Sequence, residues 1–138
     1  MPARTIYLIK RAETEITAHM TKILGEFEIT PMQFTILNFV QNNPDDLSSA
    51  QLSRRFLMTP QSMNEAITTM QRKELIEKYT DAKHKRILRI NLTEKGLEKL
   101  KICNKLVDSL EKRLFADFKE EELKECRRFM GKIIDLKN

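Results

Sequence analysis

The sequence predicts a mainly α protein with one small β-hairpin (α+β), and three observations lead there. Only three glycines and four prolines punctuate 138 residues, a scarcity that favours long helices and few loops. Apolar residues recur at spacings of three and four through most of the chain, the mark of helices that bury one side. The period drops to two in a single region, between Ile76 and Leu92, where a hairpin fits. By the size prior, residues 1–138 form one domain, long enough for a real core and short for two.

The first helix spans Ile6 to Phe27, where Ile9, Ala12, Ile16, Met20, Ile23 and Phe27 repeat along one stripe and no proline interrupts. Thr30-Pro31 starts a second. Threonine caps the first-turn amides, and proline loses nothing at a position whose N–H has no partner. Phe34, Leu37 and Val40, with Ile36 and Phe39, make this helix apolar on more than one side and therefore central. The polar run Asn42-Asn43-Pro44-Asp45-Asp46 ends it. Ser48 followed by Gln51 fits a reciprocal cap, and Leu52 and Phe56 lie four apart on the short helix that follows. Thr59-Pro60 then repeats the start signal for a fourth helix, so a helix-turn-helix is expected over residues 48–75.

After Leu75 the pattern alternates through Ile76-Glu77-Lys78-Tyr79. A basic loop at residues 80–86 follows, and Leu88, Ile90 and Leu92 alternate against Ile87, Arg89 and Asn91. Thr93-Glu94-Lys95-Gly96 opens a helix with a seam of Leu100, Cys103, Val107, Leu110 and Leu114 that resembles a coiled coil. Phe115 to Lys119 turns the chain. Leu123, Cys126, Met130 and Ile133, with Phe129, Ile134 and Leu136, form a last amphipathic helix.

The helix from Pro60 has a divided circumference. Met63, Ile67 and Met70, with Ala66, fall on the packing side; Gln61, Ser62, Asn64, Glu65, Thr68, Thr69 and Arg72 fall elsewhere. Surface helices usually carry Lys and Glu, whereas amides, hydroxyls and one arginine match the hydrogen-bonding edges of bases. An ordinary solvated helix fits the segment about equally well. Net charge tips the balance, because residues 48–91 hold nine Lys/Arg against four Asp/Glu, net +5, while residues 1–47 are net −2 and residues 92–138 net +2. A local basic surface attracts phosphate. A polyanionic protein or an anionic membrane would answer to the same charge. The hairpin tip, with Lys83, His84, Lys85 and Arg86, can lie along a phosphate backbone or reach into a minor groove.

Other function classes find less support. There is no glycine-rich phosphate loop, no zinc-type cluster, and no nucleophile with an evident base. With two histidines and two cysteines, most catalytic and metal sites are excluded, and neither an enzyme nor a cofactor is expected. No apolar run approaches the roughly 20 residues of a membrane span. Tyr7-Leu8-Ile9 is cut short by Lys10-Arg11, so no signal peptide is read, and the expected location is the cytoplasm with Cys103 and Cys126 as thiols. The apolar stripes of the first and last helices exceed what the middle of the chain can cover. A second copy is the simplest cover, and two helices about 34 Å apart would then meet successive major grooves.

The ordered set of elements resembles the MarR (multiple antibiotic resistance regulator) family of winged helix-turn-helix transcription factors over essentially the whole chain. The likeness is carried by Leu52-Ser53-Arg54-Arg55-Phe56, Met58-Thr59-Pro60-Gln61-Ser62-Met63-Asn64, Met70 to Lys78, Asp81 to Arg86 and Leu92-Thr93-Glu94-Lys95-Gly96. The resemblance implies a homodimer joined through residues 1–29 and 93–138, with residues 30–92 as the DNA-binding lobe. In that lobe the helix from Pro60 enters the major groove, the hairpin is the wing, and the usual action is repression at a pseudo-palindromic operator. Thr59, Gln61, Ser62, Asn64, Glu65, Thr68, Thr69 and Arg72 become the candidates for base readout. Lys83, His84, Lys85 and Arg86 are the candidates of the wing, and Ser49 and Arg54 those for the DNA backbone.

Similar proteins release DNA when a small aromatic or anionic effector enters a cleft, for which His19, Met20, Phe34 and Phe39 are candidates by position; such apolar residues are more often core. Other relatives sense oxidants through cysteine, but neither thiol here has an evident activating neighbour. A module that binds protein, or binds DNA without sequence preference, is the remaining alternative. The chain departs from the family pattern in three places. Glu74 stands where glycine is usual, arginine is missing near Glu65 and Thr69, and the wing keeps Asp81 while losing a second acid. Asp81 is expected to hold the hairpin through a basic neighbour.

Overall fold

The computed structural model describes residues 3–44 and 47–136. Asp45 and Asp46, expected in the polar turn after the second helix, lie outside the described residues. The element order is α1 (Thr5–Gly25), α2 (Pro31–Asn42), α3 (Ser49–Arg55), α4 (Pro60–Arg72), β1 (Ile76–Thr80), β2 (Leu88–Leu92), α5 (Glu94–Leu114) and α6 (Glu120–Ile134). The chain divides into two compact units, Met1–Val107 and Asp108–Asn138, with α5 running through the boundary.

The expected caps account for the helix starts. Thr30 Oγ1 accepts from the Gln33 amide at 3.1 Å while the Gln33 side chain accepts from the Thr30 amide at 3.1 Å, and Ser48 and Gln51 form the same reciprocal pair at the head of α3. At α4, Thr59 Oγ1 accepts from the Ser62 amide at 3.1 Å, with Pro60 in the first turn. Three turns use a left-handed residue that is not glycine: Glu28, Leu57 and Glu74, with φ of 59°, 51° and 61°. The Glu74 turn therefore keeps the backbone shape that glycine would take most easily. Its side chain gains only an exposed contact with Lys95 Nζ at 3.7 Å, which stabilises little. Glu74→Gly is expected to raise the unfolding free energy by about 1 kcal/mol by relieving the left-handed penalty. Urea titration checks it, and a loss of stability would show that the turn is not strained.

The core of the first unit joins Leu24 and Ile29 to Ile36, Leu37 and Val40 of α2, Leu52 of α3, Met63, Ile67 and Met70 of α4, and Ile76, Ile90, Leu100 and Cys103. The central position expected for α2 follows from its buried residues on several sides. The hairpin is antiparallel, with Ile76 opposite Leu92 and Tyr79 opposite Arg89. Of the three alternating residues expected to face inward on β2, Ile90 is buried, Leu92 is half-buried and Leu88 is 48% exposed. Leu88 pairs with Thr80 beside the hairpin loop, past the reach of the core. The Ile90 amide also donates to Leu47 O at 3.0 Å, so the segment leading into α3 adds an outer rung to β2.

Along the expected stripe of α1, Ile9, Met20 and Ile23 are half-buried and Ala12 and Ile16 are exposed. Leu24 is buried, whereas Ile6, Tyr7 and Leu8 are more than half exposed. In the second unit, Phe115 and Phe118 meet edge to face with ring centroids 6.2 Å apart, and α6 has no buried residue. Ile133, Ile134 and Leu136 are exposed by 46%, 80% and 74%. No described helix is long and apolar enough to cross a membrane.

Candidate nucleic-acid interface

Helices α3 and α4 are locked together before any outward side chain is considered. Leu52, Met63, Ile67 and Met70 are fully buried, and the turn between the helices is closed by the Met58 amide on Ser53 O at 2.9 Å. Burial of that stripe directs the rest of α4 outward. Gln61, Asn64, Glu65, Thr68, Thr69 and Arg72 line one open groove on its outer side. The segment is thus a bare polar face and not one covered by its own chain.

The hydrogen bonds within this face assign different tasks to residues that looked alike in the sequence. Thr59 and Ser62 are exposed, but Thr59 Oγ1 donates to Ser62 Oγ at 3.0 Å, so both hydroxyls serve the cap. Thr69 Oγ1 donates to the Glu65 carbonyl at 3.0 Å, which leaves its methyl and a lone pair facing out. Ser49 Oγ donates to Asn64 Oδ1 at 2.5 Å, tying the first turn of α3 to the middle of α4 and fixing the amide of Asn64. Gln61, Thr68 and Arg72 remain unengaged among the described residues and offer the freest donors and acceptors.

The wing is held by one carboxylate. Asp81 Oδ2 accepts from the amides of Lys83 at 3.1 Å and His84 at 2.7 Å, and Asp81 Oδ1 lies 3.3 Å from Arg89 Nε. The expected role of Asp81 is thus the observed one, with Arg89 as its basic partner. Two main-chain bonds finish the loop, from Ile87 N to His84 O and from Asp81 N to Ile87 O. Lys83, His84, Lys85 and Arg86 are all exposed at its tip. Arg86, Ile87, Leu88 and Arg89 also line a recess with Ser48, Ser49, Gln51 and Arg54, so the wing base and the start of α3 share one cationic surface. Gln51 and Arg89 were not among the sequence candidates. Their place there depends on the bridge between Ser48 and Arg89, a long-range pairing that no local pattern announces.

The His84 amide is the first of the contacts that hold the Asp81 carboxyl below its ordinary value, followed among the favourable ones by Arg89 and the Lys83 amide, against a cost from partial burial. A depressed carboxylate contributes order that is present above its unfolded value of about 3.9 and is lost as pH falls through the lower folded value. Wing order is therefore expected to be constant from pH 5 to 8 and to fail only in stronger acid. The amide signals of Lys83 and His84 report it, and broadening near pH 6 would contradict it.

The four residues considered for an effector cleft have distinct surroundings. His19 is exposed, Met20 packs partly buried against the core and Phe34 is buried within it. Phe39 meets Phe56 edge to face at 5.7 Å under the Arg55 guanidinium, 4.8 Å from the ring centre. Of the thiols, Cys103 is buried, and burial raises its pKa against a smaller opposing pull from Lys99. Cys126 is exposed on α6.

Residues 27–87, from the end of α1 through the wing tip, match the model of the MarR family. That segment carries a MarR-family domain. An HTH-type transcriptional repressor of Mycobacterium tuberculosis is 24% identical over 127 residues, covering 92% of this chain and 91% of that protein. The uncharacterized HTH-type regulator YsmB of Bacillus subtilis is 28% identical over 103 residues, covering 74% of this chain and 69% of its own. Among solved structures, the MepR–DNA complex of S. aureus superposes with a TM-score of 0.86 at 23% identity, covering 96% and 98% of the two chains. The transcriptional repressor CouR bound to a 23-mer DNA duplex gives 0.88 at 19% identity, covering 95% and 92%. The MarR-family fold is thus the winged helix-turn-helix, mainly α with a two-stranded wing.

Proposed function

We propose that this chain is a MarR-family transcriptional repressor that binds a pseudo-palindromic double-stranded DNA operator as a homodimer. The observation that carries the reading is the exposed outer face of α4, where amides, hydroxyls and Arg72 stand free of the core beside a cationic wing. That face suits base edges in a major groove: Gln61 can donate and accept, Arg72 can reach guanine or phosphate, and the Thr69 methyl can meet thymine. Ser49, Arg54 and the wing cations then hold phosphates, which set position and carry no sequence information. The two similar DNA-bound structures, of MepR and CouR, support the placement of α4 and the wing.

A second copy is proposed because two separate apolar faces are uncovered, that of α6 and that of the first turns of α1. Burying them would hold two copies of α4 at the spacing of successive grooves. The cysteine reading is disfavoured by Cys103, whose burial opposes the thiolate that an oxidant would attack.

The test titrates the intact protein with fragments selected from its source genome and with random duplex at several salt concentrations. A repressor of this kind is expected to prefer the selected sequence by roughly 10³ or more. Gln61→Ala should change that sequence preference, since it removes base contacts and no packing. A ratio near one would replace the reading with non-specific binding. A sedimenting mass equal to the single 16.3 kDa chain at micromolar concentration would remove the dimer.

A further inference from the structure

Lys73, just past α4, and Lys95 and Lys99, on the first turns of α5, converge on a cavity of about 180 Å³ that shares no lining residue with the outer groove of α4; Phe27, Ile29 and Leu75 complete it, with Glu28 at its wall. Two of the three are fixed in place and not free to follow solvent. Lys73 Nζ donates to Glu28 O and, at 3.3 Å, to Gln33 Oε1. Lys99 Nζ donates to Phe27 O at 3.0 Å and lies 5.9 Å from the centre of the Phe27 ring. Both lysines are only partly exposed, yet among the described residues neither has a carboxylate within ion-pair distance. Lys95 has Glu74 at 3.7 Å, in an exposed contact that leaves it able to turn inward. The Glu28 carboxylate pairs with none of the three.

Half-buried ammonium groups are normally matched by a nearby anion, because desolvation without compensation is costly. Here two such groups face one space with neutral partners only, and each ammonium has a donor left after its main-chain bond. Two unmatched positive charges call for a doubly charged anion. We propose that this cavity is a binding site for a small dianionic oxyanion of the phosphate class, inorganic phosphate or a compact phosphomonoester. Its apolar lining of Phe27, Ile29 and Leu75 lowers the local polarity on one side and so strengthens each charge-assisted bond. The site joins the end of α1, the end of α4 and the first turns of α5, so occupancy ties the C-terminal end of α4 to its supports. It goes beyond the DNA-binding reading and does not require it.

The test adds inorganic phosphate to the full-length protein, without DNA, at ionic strength matched with chloride, and follows amide signals by NMR. Saturable shifts centred on Glu28, Leu75 and Gly96 are expected, and Lys99→Met should weaken the affinity about tenfold or more, the loss of one charge-assisted contact. Lys99 also supports the Phe27 carbonyl, so Lys95→Met is the companion variant; it gives up only an exposed pair and should weaken binding several-fold with the fold intact. Shifts reproduced by chloride, shifts confined to Ser49–Arg54 and the wing, or an affinity unchanged in the Lys95 variant would each overturn the assignment.

Discussion

Alanine at Gly96 is expected to destabilise the protein by about 2–3 kcal/mol, although helix propensity taken by itself would favour it by about 1 kcal/mol. Gly96 sits in the first turn of α5, where its amide donates to Thr93 Oγ1 at 2.9 Å. Thr93 in turn stitches the helix to the wing base, with its amide on Leu75 O at 3.1 Å and its hydroxyl on Glu74 O at 2.5 Å. A Cβ on residue 96 would lie 2.0 Å from Leu75 O and 2.9 Å from Leu75 C, and both are main-chain atoms that no rotamer change can move. Relief requires α5 to withdraw from the wing base, which gives up those hydrogen bonds and opens the packing of Leu75. Urea unfolding with an unchanged m-value measures the loss. A gain in stability would mean that the two segments do not approach so closely.

Removing the wing charges should have the largest effect on DNA binding. Lys83, Lys85 and Arg86 are exposed, and the loop that carries them is held by Asp81 and main-chain bonds that none of the three side chains makes. The triple change to alanine therefore leaves the fold in place while removing up to three phosphate contacts from each wing of the proposed dimer. At about 1–1.5 kcal/mol each, affinity should fall by about 10²–10³-fold for each wing engaged, nearly equally for selected and random duplex. The slope of log affinity against log salt should flatten by about 0.9 per lost contact. An unchanged slope would take the hairpin off the DNA, even if α4 remained in the groove. Arg86→Ala alone should show the same pattern at about a third of the change in slope.

Much of this architecture could be read locally. Thr30-Pro31, Ser48 with Gln51, and Thr59-Pro60 mark helix starts because each satisfies first-turn donors within three residues, and those bonds are found. The buried stripe Met63, Ile67 and Met70 was legible from spacing, and with it the outward set from Gln61 to Arg72. The left-handed turn at Glu74 was legible only as a departure from the family pattern, since its residue type argues against that backbone shape. The uncovered apolar surface of α1 and α6 was legible as more stripe than the middle of the chain could cover, but the exposure of Leu88 was not, because periodicity shows which side of an element is apolar and not how far a core extends along it.

The sequence by itself determined the element order, the helix caps and the polar face of α4, because these depend on interactions spanning a few residues. Tertiary structure decided which outward groups are spent and which are free. Ser49 engages Asn64 fifteen positions away, Arg89 braces Asp81, and Lys73 and Lys99 are drawn to carbonyls at the end of α1 some 45 and 72 residues distant. Local patterning restricts the backbone through short-range bonds and one-sided burial. The pairing of polar side chains across the fold is set only once the packed core has brought those segments together.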